Sequence, residues 1–397
     1  MRKTIYSCIA ALVVVSGANA DVKVGNPMAM TGPIPDLVAP MAIAVDLAEK
    51  HINEQGGMFA SGEEFVIVRA DSMCDPVAAV DAVTKLINVS GVVGIVGPVC
   101  SGATIAQAES VAIPAGVVTL SVSASAPAIS NMETGTDLMF RTAASDAYQG
   151  VALAELALAK GITDLSVSYA NDDYNAGLAE VFAASFVANG GKIHLNEAHE
   201  PNKASYRSEV ATLGANTDNL ALFAYYGSGG ITLMRNAMET GAFSTFLGAD
   251  GMLADEVIEQ LGAENLTNAT FTTSTSDEST PGYAAWKALA TAADLNPLGP
   301  FIPNSYDAAF MMALAIEKAG SADRDLIAGS LRAIANAPGE IILPGEWSKA
   351  KKILAAGGDI HYNGGSGPQD FDANGDVAGD FSASVVQDGA WVGKIIK

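Results

Sequence analysis

Short β-rich runs alternate with longer amphipathic helical runs along most of this chain, and no other feature of the sequence limits its fold as strongly. Strands that alternate with helices in this way form parallel sheets covered by helices on both faces. The first such stretch predicts a doubly wound α/β unit, with strands over 22–30, 65–70, 92–96 and 117–122 and helices over 36–54, 76–88 and 103–113.

The same alternation restarts after residue 145 and predicts a second, similar unit. Since 397 residues exceed what one hydrophobic core usually holds, two lobes are expected. Two final alternating strands, 381–387 and 390–396, are joined by Asp388-Gly389, which is typical of a hairpin turn. The other strands are predicted over 164–169, 193–198, 220–225, 245–247 and near Phe271, and the helices over 148–160, 176–189, 206–213, 232–239, 281–293, 305–320 and 323–335.

The first twenty residues have the layout of a secretory signal peptide. Arg2 and Lys3 form a positive start, an apolar run follows over 9–15, and Ala18-Asn19-Ala20 is a small-x-small cleavage site. The apolar run is shorter than the about 20 residues that a membrane anchor needs. We therefore expect a signal peptide over 1–20, cleavage after Ala20, and a protein that is exported and free of the membrane.

Acidic residues outnumber basic ones by 44 to 21, and the formal net charge is −23. Removal of Arg2 and Lys3 with the signal peptide makes the charge more negative still. Such a surface repels phosphate backbones, so we expect no nucleic-acid partner.

Two of the three cysteines, Cys74 and Cys100, follow the predicted signal peptide. In an oxidising compartment such a pair is most simply a disulfide. A catalytic thiol is the alternative, but none of the four histidines lies near either cysteine in the sequence. The composition therefore favours the disulfide.

Small hydroxyl residues and glycines collect at the carboxyl ends of the predicted strands, where parallel sheets place their ligands. Ser101 and Ser125 lie where a helix or turn begins, so backbone N–H groups there point outward. This arrangement suits a carboxylate or a phosphate. Helix capping is the alternative role for both serines, and the local sequence leaves both roles open.

The motifs of other functions are missing or incomplete. The sequence contains no phosphate-binding loop, no dinucleotide-binding glycine pattern and no G-x-S-x-G elbow. His194 and His199 are five apart on a predicted strand and would point to opposite faces. Asp370-x-Asp372-x-Asn374-Gly375 resembles the start of a calcium loop, but Phe381 stands where a glutamate is needed, so we predict a turn. We expect no metal, no cofactor and no catalytic residues.

Several segments resemble, in order and spacing, the substrate-binding proteins of branched-chain amino-acid ABC transporters. These are the leucine/isoleucine/valine-binding family of type I periplasmic binding proteins, and the resemblance covers nearly all of the chain beyond the signal peptide. The segments include MTGP at 30–33, DSMCDP at 71–76, SASAP at 123–127, QG at 149–150, YNAGLA at 174–179, YYG at 225–227 and GADG at 248–251.

The resemblance implies two doubly wound parallel-sheet lobes, joined by a three-segment hinge, that trap a ligand between them. It implies a first lobe of 21–145 and 275–337 and a second lobe of 146–274 and 338–397. It also implies that Cys74 and Cys100 are bonded to each other.

The resemblance assigns the polar ends of the ligand by position. Ser101 and Ser125 would receive an α-carboxylate, with backbone groups near Ser123 assisting. Tyr174 would close over the ligand from the second lobe, and Asp250 would bind an α-ammonium group. Charge-assisted hydrogen bonds at both ends would then supply affinity for a zwitterion.

Three further positions concern the side-chain pocket. Leu37 stands where the leucine binders carry an aromatic residue, Phe301 matches an apolar wall residue, and Tyr148 occupies a cleft position that is usually small or acidic. After Tyr225-Tyr226-Gly227 this chain offers Gly229 or Gly230 where those binders have another tyrosine. We therefore expect a side-chain pocket that differs from that of the leucine binders. Its ligand would be a branched-chain amino acid, another amino acid, an aromatic acid or an amide.

We predict a monomeric solute-binding protein, not an enzyme, that delivers a small ligand to an ABC transporter permease by closing its cleft. The alternative is a sensor component that presents its ligand-bound form to a membrane receptor. The residues themselves do not separate these two functions.

Overall fold

The computed structural model describes residues 21–132 and 137–396, so the predicted signal peptide lies outside the described residues. Within these two ranges, no helix has both the length and the apolar character needed to cross a membrane.

The first lobe is built on a five-stranded parallel sheet, ordered β2-β1-β3-β4-β5. Its elements are β1 (Val22–Met28), α1 (Pro35–Glu54), β2 (Phe65–Asp71), α2 (Pro76–Lys85), β3 (Gly94–Val96), α3 (Ser101–Gln107), β4 (Val118–Ser121), α4 (Pro127–Ser130) and β5 (Met139–Arg141).

The second lobe continues the alternation around a sheet of seven strands. Its elements are α5 (Asp146–Ala159), β6 (Asp164–Ala170), α6 (Asp173–Ala188), β7 (Lys192–His199), α7 (Arg207–Leu213), β8 (Asn219–Phe223), α8 (Gly230–Thr240), β9 (Thr245–Ala249), α9 (Asp255–Leu261) and β10 (Ala269–Thr275).

The last part of the chain contributes elements to both lobes. Its elements are α10 (Pro281–Ala292), α11 (Ile302–Ala319), α12 (Arg324–Ala335), β11 (Glu340–Ile342), α13 (Trp347–Ala355), β12 (Ile360–Gly364), β13 (Gly367–Pro368), β14 (Asp380–Gln387) and β15 (Ala390–Ile395). Helix α11 packs against α1 and α12 and is buried throughout 302–316, because its sequence is apolar on nearly every face.

The predicted doubly wound α/β class is confirmed. In the seven-stranded sheet, ordered β15-β14-β10-β9-β8-β6-β7, β14 and β15 run antiparallel and the strands from β10 to β7 pair in parallel. The predicted hairpin joins β14 and β15, and Asp388 and Gly389 both have positive φ, as a two-residue turn requires.

The chain passes between the lobes near 142–145, 276–280 and 369–379. At this hinge the Arg141 side chain forms a buried ion pair with Asp376 at 2.7 Å, and Asn304 donates to the carbonyl of Thr142 at 2.6 Å. The ion pair links the first crossing to the third, and the Asn304 hydrogen bond ties the first crossing to α11.

The packing moves the expected lobe boundary near the end of the chain. Strands β11 to β13 form a small separate sheet, and β12 contacts α10, α11 and α12. Tyr362 of β12 donates to Asp307 of α11 at 2.7 Å. Among the described residues of this last segment, 338–396, only β14 and β15 join the second sheet, so we infer that the second lobe resumes near Asp380 and not at 338.

Candidate ligand-binding site

A cavity lies between the lobes, at the carboxyl ends of strands from both sheets. Its volume is about 30 Å³. One water molecule needs roughly 10–15 Å³ on this scale, so this volume is about that of two or three water molecules. The lining residues are Ile34, Leu37, Met41, Val99, Cys100, Ser101, Ser123, Ser125, Tyr174, Tyr225, Asp250, Gly251 and Phe301.

Seven of the eight side chains assigned from the sequence line this one cavity; only Tyr148 does not. The first-lobe serines follow β3 and β4, and Asp250 follows β9. Residues at the carboxyl ends of parallel strands converge on the same edge, which explains why positions far apart in sequence meet here.

Ser101 begins α3 and is buried. Its Oγ accepts the N–H groups of Ser125 at 3.2 Å and Ala126 at 3.1 Å, so it holds the loop after β4 in place. A hydroxyl that accepts still carries its own proton, which leaves Ser101 able to donate to a ligand. Ser123 instead donates its hydroxyl to the Val99 carbonyl at 2.9 Å, so its side chain is already committed to the protein.

Ser125 has a partner that the sequence did not predict. Its hydroxyl lies 3.0 Å from Oδ2 of Asp146, a carboxyl at the start of α5 with no exposed surface. Burial and the nearby negative charge of Asp250 raise the pKa of Asp146 well above its usual range. A protonated Asp146 could donate to Ser125, which would free the Ser125 hydroxyl to donate to a ligand.

Asp250 is the carboxylate of the second lobe and is buried. Its Oδ1 accepts from Nε2 of Gln149 at 3.1 Å, and its Oδ2 accepts from the Tyr174 hydroxyl at 3.0 Å. Burial raises the pKa of Asp250, while these two hydrogen bonds oppose the rise by stabilising the charged form. A cationic group placed beside Asp250 would favour the charged form further.

Two tyrosines form one aromatic wall. The rings of Tyr174 and Tyr225 stack with centroids 5.3 Å apart and an interplanar angle of 20°. Asp172 caps α6 by accepting the N–H of Asn175, which places Tyr174 in the first turn with its ring turned inward. Burial raises the pKa of both tyrosines well above the usual range, so both hydroxyls stay neutral.

The rest of the lining is apolar and includes Ile34, Leu37, Met41 and Phe301. Phe301 caps α11 with a left-handed φ of 56°, a conformation that is costly for a bulky residue. Such a surface would receive an aliphatic or aromatic side chain.

Tyr148 does not line this cavity. Its side chain is 60% exposed, because α5 turns Asp146, Gln149 and Gly150 inward and leaves Tyr148 on the solvent face. Gly229 and Gly230 do not reach the cavity either; a Cβ on Gly229 would meet the Tyr206 hydroxyl, and one on Gly230 would meet Met252. Tyr225, which comes earlier in the same loop, lines the cavity instead.

Reasoning from the sequence missed Asp146 and Gln149 as parts of the site. Gln149 lies in a segment that carried the family resemblance, so a signal existed for it. Asp146 follows Ser145, whose side chain caps α5, and in the sequence it resembles an ordinary acidic residue of a first helical turn.

The disulfide between Cys74 and Cys100 is confirmed, with the two Cα atoms 5.3 Å apart. Cys100 also lines the cavity, so the bridge braces the wall that carries Ser101. At the segment that resembles a calcium loop, Oδ1 of Asp372 accepts the N–H groups of Asn374 and Asp376, as in a side-chain-stabilised turn.

A family model described as the receptor family ligand binding region matches residues 40–386. The chain belongs to this family. It is a type I periplasmic binding protein, and its two lobes around a cleft have the arrangement expected for one.

Two relatives show how this binding protein compares in sequence. The chemotactic signal transduction system substrate-binding protein BasB of Halobacterium salinarum is 28% identical over 372 residues, which cover 90% of this chain and 84% of BasB. The Leu/Ile/Val-binding protein BraC3 of Rhizobium johnstonii is 29% identical over 327 residues, which cover 82% of this chain and 87% of BraC3.

Solved structures match the fold of this binding protein. The leucine-binding protein LivK of Thermotoga maritima has a TM-score of 0.79 at 24% identity, over 94% of this chain and 98% of LivK. A solute-binding protein of R. palustris in complex with benzoate has a TM-score of 0.71 at 18% identity, over 94% of this chain and 95% of that protein.

Proposed function

We propose that this protein binds a small amino acid between its lobes in the periplasm and delivers it to an ABC transporter permease. The observation that carries the proposal is one cavity with buried serine hydroxyls on the first lobe and the buried Asp250 carboxylate on the second. Donors at one end and a carboxylate at the other complement a zwitterion.

Each group has a distinct proposed task. Ser101 and Ser125 bind the ligand carboxylate, together with backbone groups near Ser123. Asp250 pairs with the ammonium group, held in place by Gln149 and Tyr174. Closure removes water from both ends, so a ligand that lacks one charge leaves a buried polar group unpaired and binds weakly.

The apolar lining makes branched-chain amino acids the first ligands to test. A thermal-shift screen followed by calorimetry would compare L-leucine, L-isoleucine and L-valine with leucinamide, 4-methylpentanoate and benzoate. We expect an amino acid to bind most tightly. Tightest binding of leucinamide, which lacks the carboxylate, or of an acid without an ammonium group would contradict the proposal.

A sensor function is the second candidate, favoured by the 28% identity to BasB, a relative named for a chemotactic signal transduction system. In that case the closed form docks on a membrane receptor in place of a permease. Affinity capture from native membranes, with the protein saturated with its ligand, would recover permease subunits under the first proposal and a receptor under the second.

We also propose that the protein is exported to the periplasm. A signal peptide over 1–20, removed after Ala20, would bring the protein to the compartment where a disulfide such as Cys74–Cys100 persists.

A further inference from the structure

The lobes touch each other at a second place, between the loop after β1 and the loop after β8. The Gly227 N–H donates to the Pro33 carbonyl at 3.1 Å. The Asp36 N–H, in the first turn of α1, donates to the Tyr226 hydroxyl at 3.1 Å. We call Pro33, Asp36, Tyr226 and Gly227 the closure contact.

Gly227 has no side chain because the opposite lobe occupies that space. A Cβ built on Gly227 would lie 2.5 Å from the Pro33 oxygen and 3.0 Å from its carbonyl carbon. Gly227 is not among the residues with positive φ, so its own backbone does not demand glycine. The requirement for glycine therefore comes from the closed arrangement of the lobes and not from the fold of the second lobe.

We propose that the closure contact is a positioning element that sets how favourable the closed form is, and so sets ligand affinity without touching the ligand. The four residues are absent from the cavity lining that the described residues form. This inference rests on the proposed function only in that closure traps a ligand.

Closure and affinity are linked quantitatively. If only the closed form holds the ligand tightly, the apparent dissociation constant rises in inverse proportion to the closed fraction when that fraction is small. A substitution that penalises only the closed form should therefore weaken binding by the same factor as it depletes closure. The open form and the separate lobes should be unaffected.

Three single substitutions test the contact. Gly227→Ala puts a methyl group against the rigid Pro33 backbone, and we expect at least a tenfold loss of the closed form. Tyr226→Phe removes the acceptor for the Asp36 N–H, and we expect a loss of about three- to tenfold. Gly329→Ala is the matched control, because its Cβ on α12 would meet no heavy atom within 4 Å.

Pulsed dipolar spectroscopy would measure the closed fraction from spin labels at Val89 and Val187, which are 81% and 54% exposed and lie on different lobes. We would record distances without ligand and with saturating L-leucine, L-isoleucine or L-valine. The fraction of molecules at the closed-form distance should fall in Gly227→Ala and Tyr226→Phe and stay unchanged in Gly329→Ala.

The same spectra separate the two proposals. If no amino acid binds the wild type, the amino-acid proposal fails, and the ligand-free distances still test the contact. Equal closed fractions in the wild type and Gly227→Ala, compared without ligand and at one ligand concentration below saturation, would overturn the closure contact. A wild type that shows no closed-form distance under any condition would overturn it as well.

Discussion

The Tyr174 hydroxyl donates to the Asp250 carboxylate at 3.0 Å, and both side chains are buried in the second lobe. Gln149 holds the other carboxylate oxygen at 3.1 Å. Asp250 is thus fixed by its own lobe before any ligand arrives, and it faces a cavity that it shares with the serines of the first lobe. A carboxylate fixed in advance costs little reorganisation when it pairs with a cation.

Two tyrosines provide a matched pair for testing this arrangement. Tyr174→Phe removes a donor from a buried carboxylate, so ligand binding should weaken by about 1–3 kcal/mol. Tyr148→Phe alters an exposed side chain and should leave affinity unchanged. Calorimetry with the tightest ligand of the screen would measure both, and similar losses in the two variants would contradict the site as described.

Asp146 should make stability depend on pH. Its folded-state pKa is raised, so the folded protein holds a proton that the unfolded chain releases more readily. The free energy of unfolding should therefore fall as pH rises through the folded-state pKa, and the contribution is fully present only below the unfolded value of about 3.9.

Asp146→Asn removes this titration and should unfold at higher urea than the wild type at neutral pH. Urea titrations of the ligand-free protein at several pH values between about 4 and 8 would show a shallower decline for the variant. Asp250 also has a raised pKa and stays in both proteins, so a pH dependence that survives in Asp146→Asn comes from groups other than Asp146. Parallel curves for the two proteins would rule out a raised pKa at Asp146.

The disulfide should stabilise the fold by lowering the conformational entropy of the unfolded chain. Cys74 and Cys100 are 26 positions apart, and closing such a loop stabilises by roughly 3 kcal/mol in the chain-entropy model. The double variant Cys74→Ser with Cys100→Ser should lose about that much in urea unfolding. Alkylation of the untreated protein followed by intact-mass analysis should find no free thiol, and two labelled cysteines would disprove the bridge in the native protein.

Asp307 should matter for folding and not for binding. It accepts hydrogen bonds from the Tyr362 hydroxyl at 2.7 Å, the Gly365 N–H at 2.9 Å and the Ser366 N–H at 2.8 Å, so it fastens the small third sheet to α11. Asp307→Asn replaces an acceptor oxygen with a donor and should cost about 1–3 kcal/mol of stability. Ligand affinity measured well below the unfolding transition should equal that of the wild type, and a large affinity loss would place Asp307 in the binding machinery.

The sequence predicts most of the sheet framework because strand and helix periodicities differ clearly in long elements. It does not predict β5, β11, β12 or β13. These strands have two to five residues, which is too short to show a clear alternation. The lobe boundary near Asp380 was missed for the same reason, because β12 attaches 340–368 to α10, α11 and α12.

In the site, too, some residues could be predicted from the sequence and others could not. Ser101 and Ser125 were predictable because strand ends of parallel sheets converge, whereas Asp250 was assigned from the family resemblance. Tyr148 was not predictable, because its direction depends on the rotation of α5 about its own axis. That rotation is set by packing against α6, where a Cβ on Gly150 would lie 2.8 Å from Val181. Neighbouring positions on a helix point about 100° apart, so such a residue is easily assigned to the wrong face.

The affinity of Asp250→Asn for the tightest amino-acid ligand, measured by calorimetry beside the wild type, tests the central proposal most directly. Asparagine keeps the size of the side chain but leaves the buried ammonium group without its counter-charge. Loss of one partner of a buried ion pair costs about 3–5 kcal/mol, so affinity should fall by more than about a hundredfold. The folded fraction should not fall with it, because the amide oxygen of the variant would still accept a hydrogen bond from Tyr174 or Gln149. Equal affinity in the two proteins would mean that no ammonium group binds at Asp250, and the amino-acid function would be refuted.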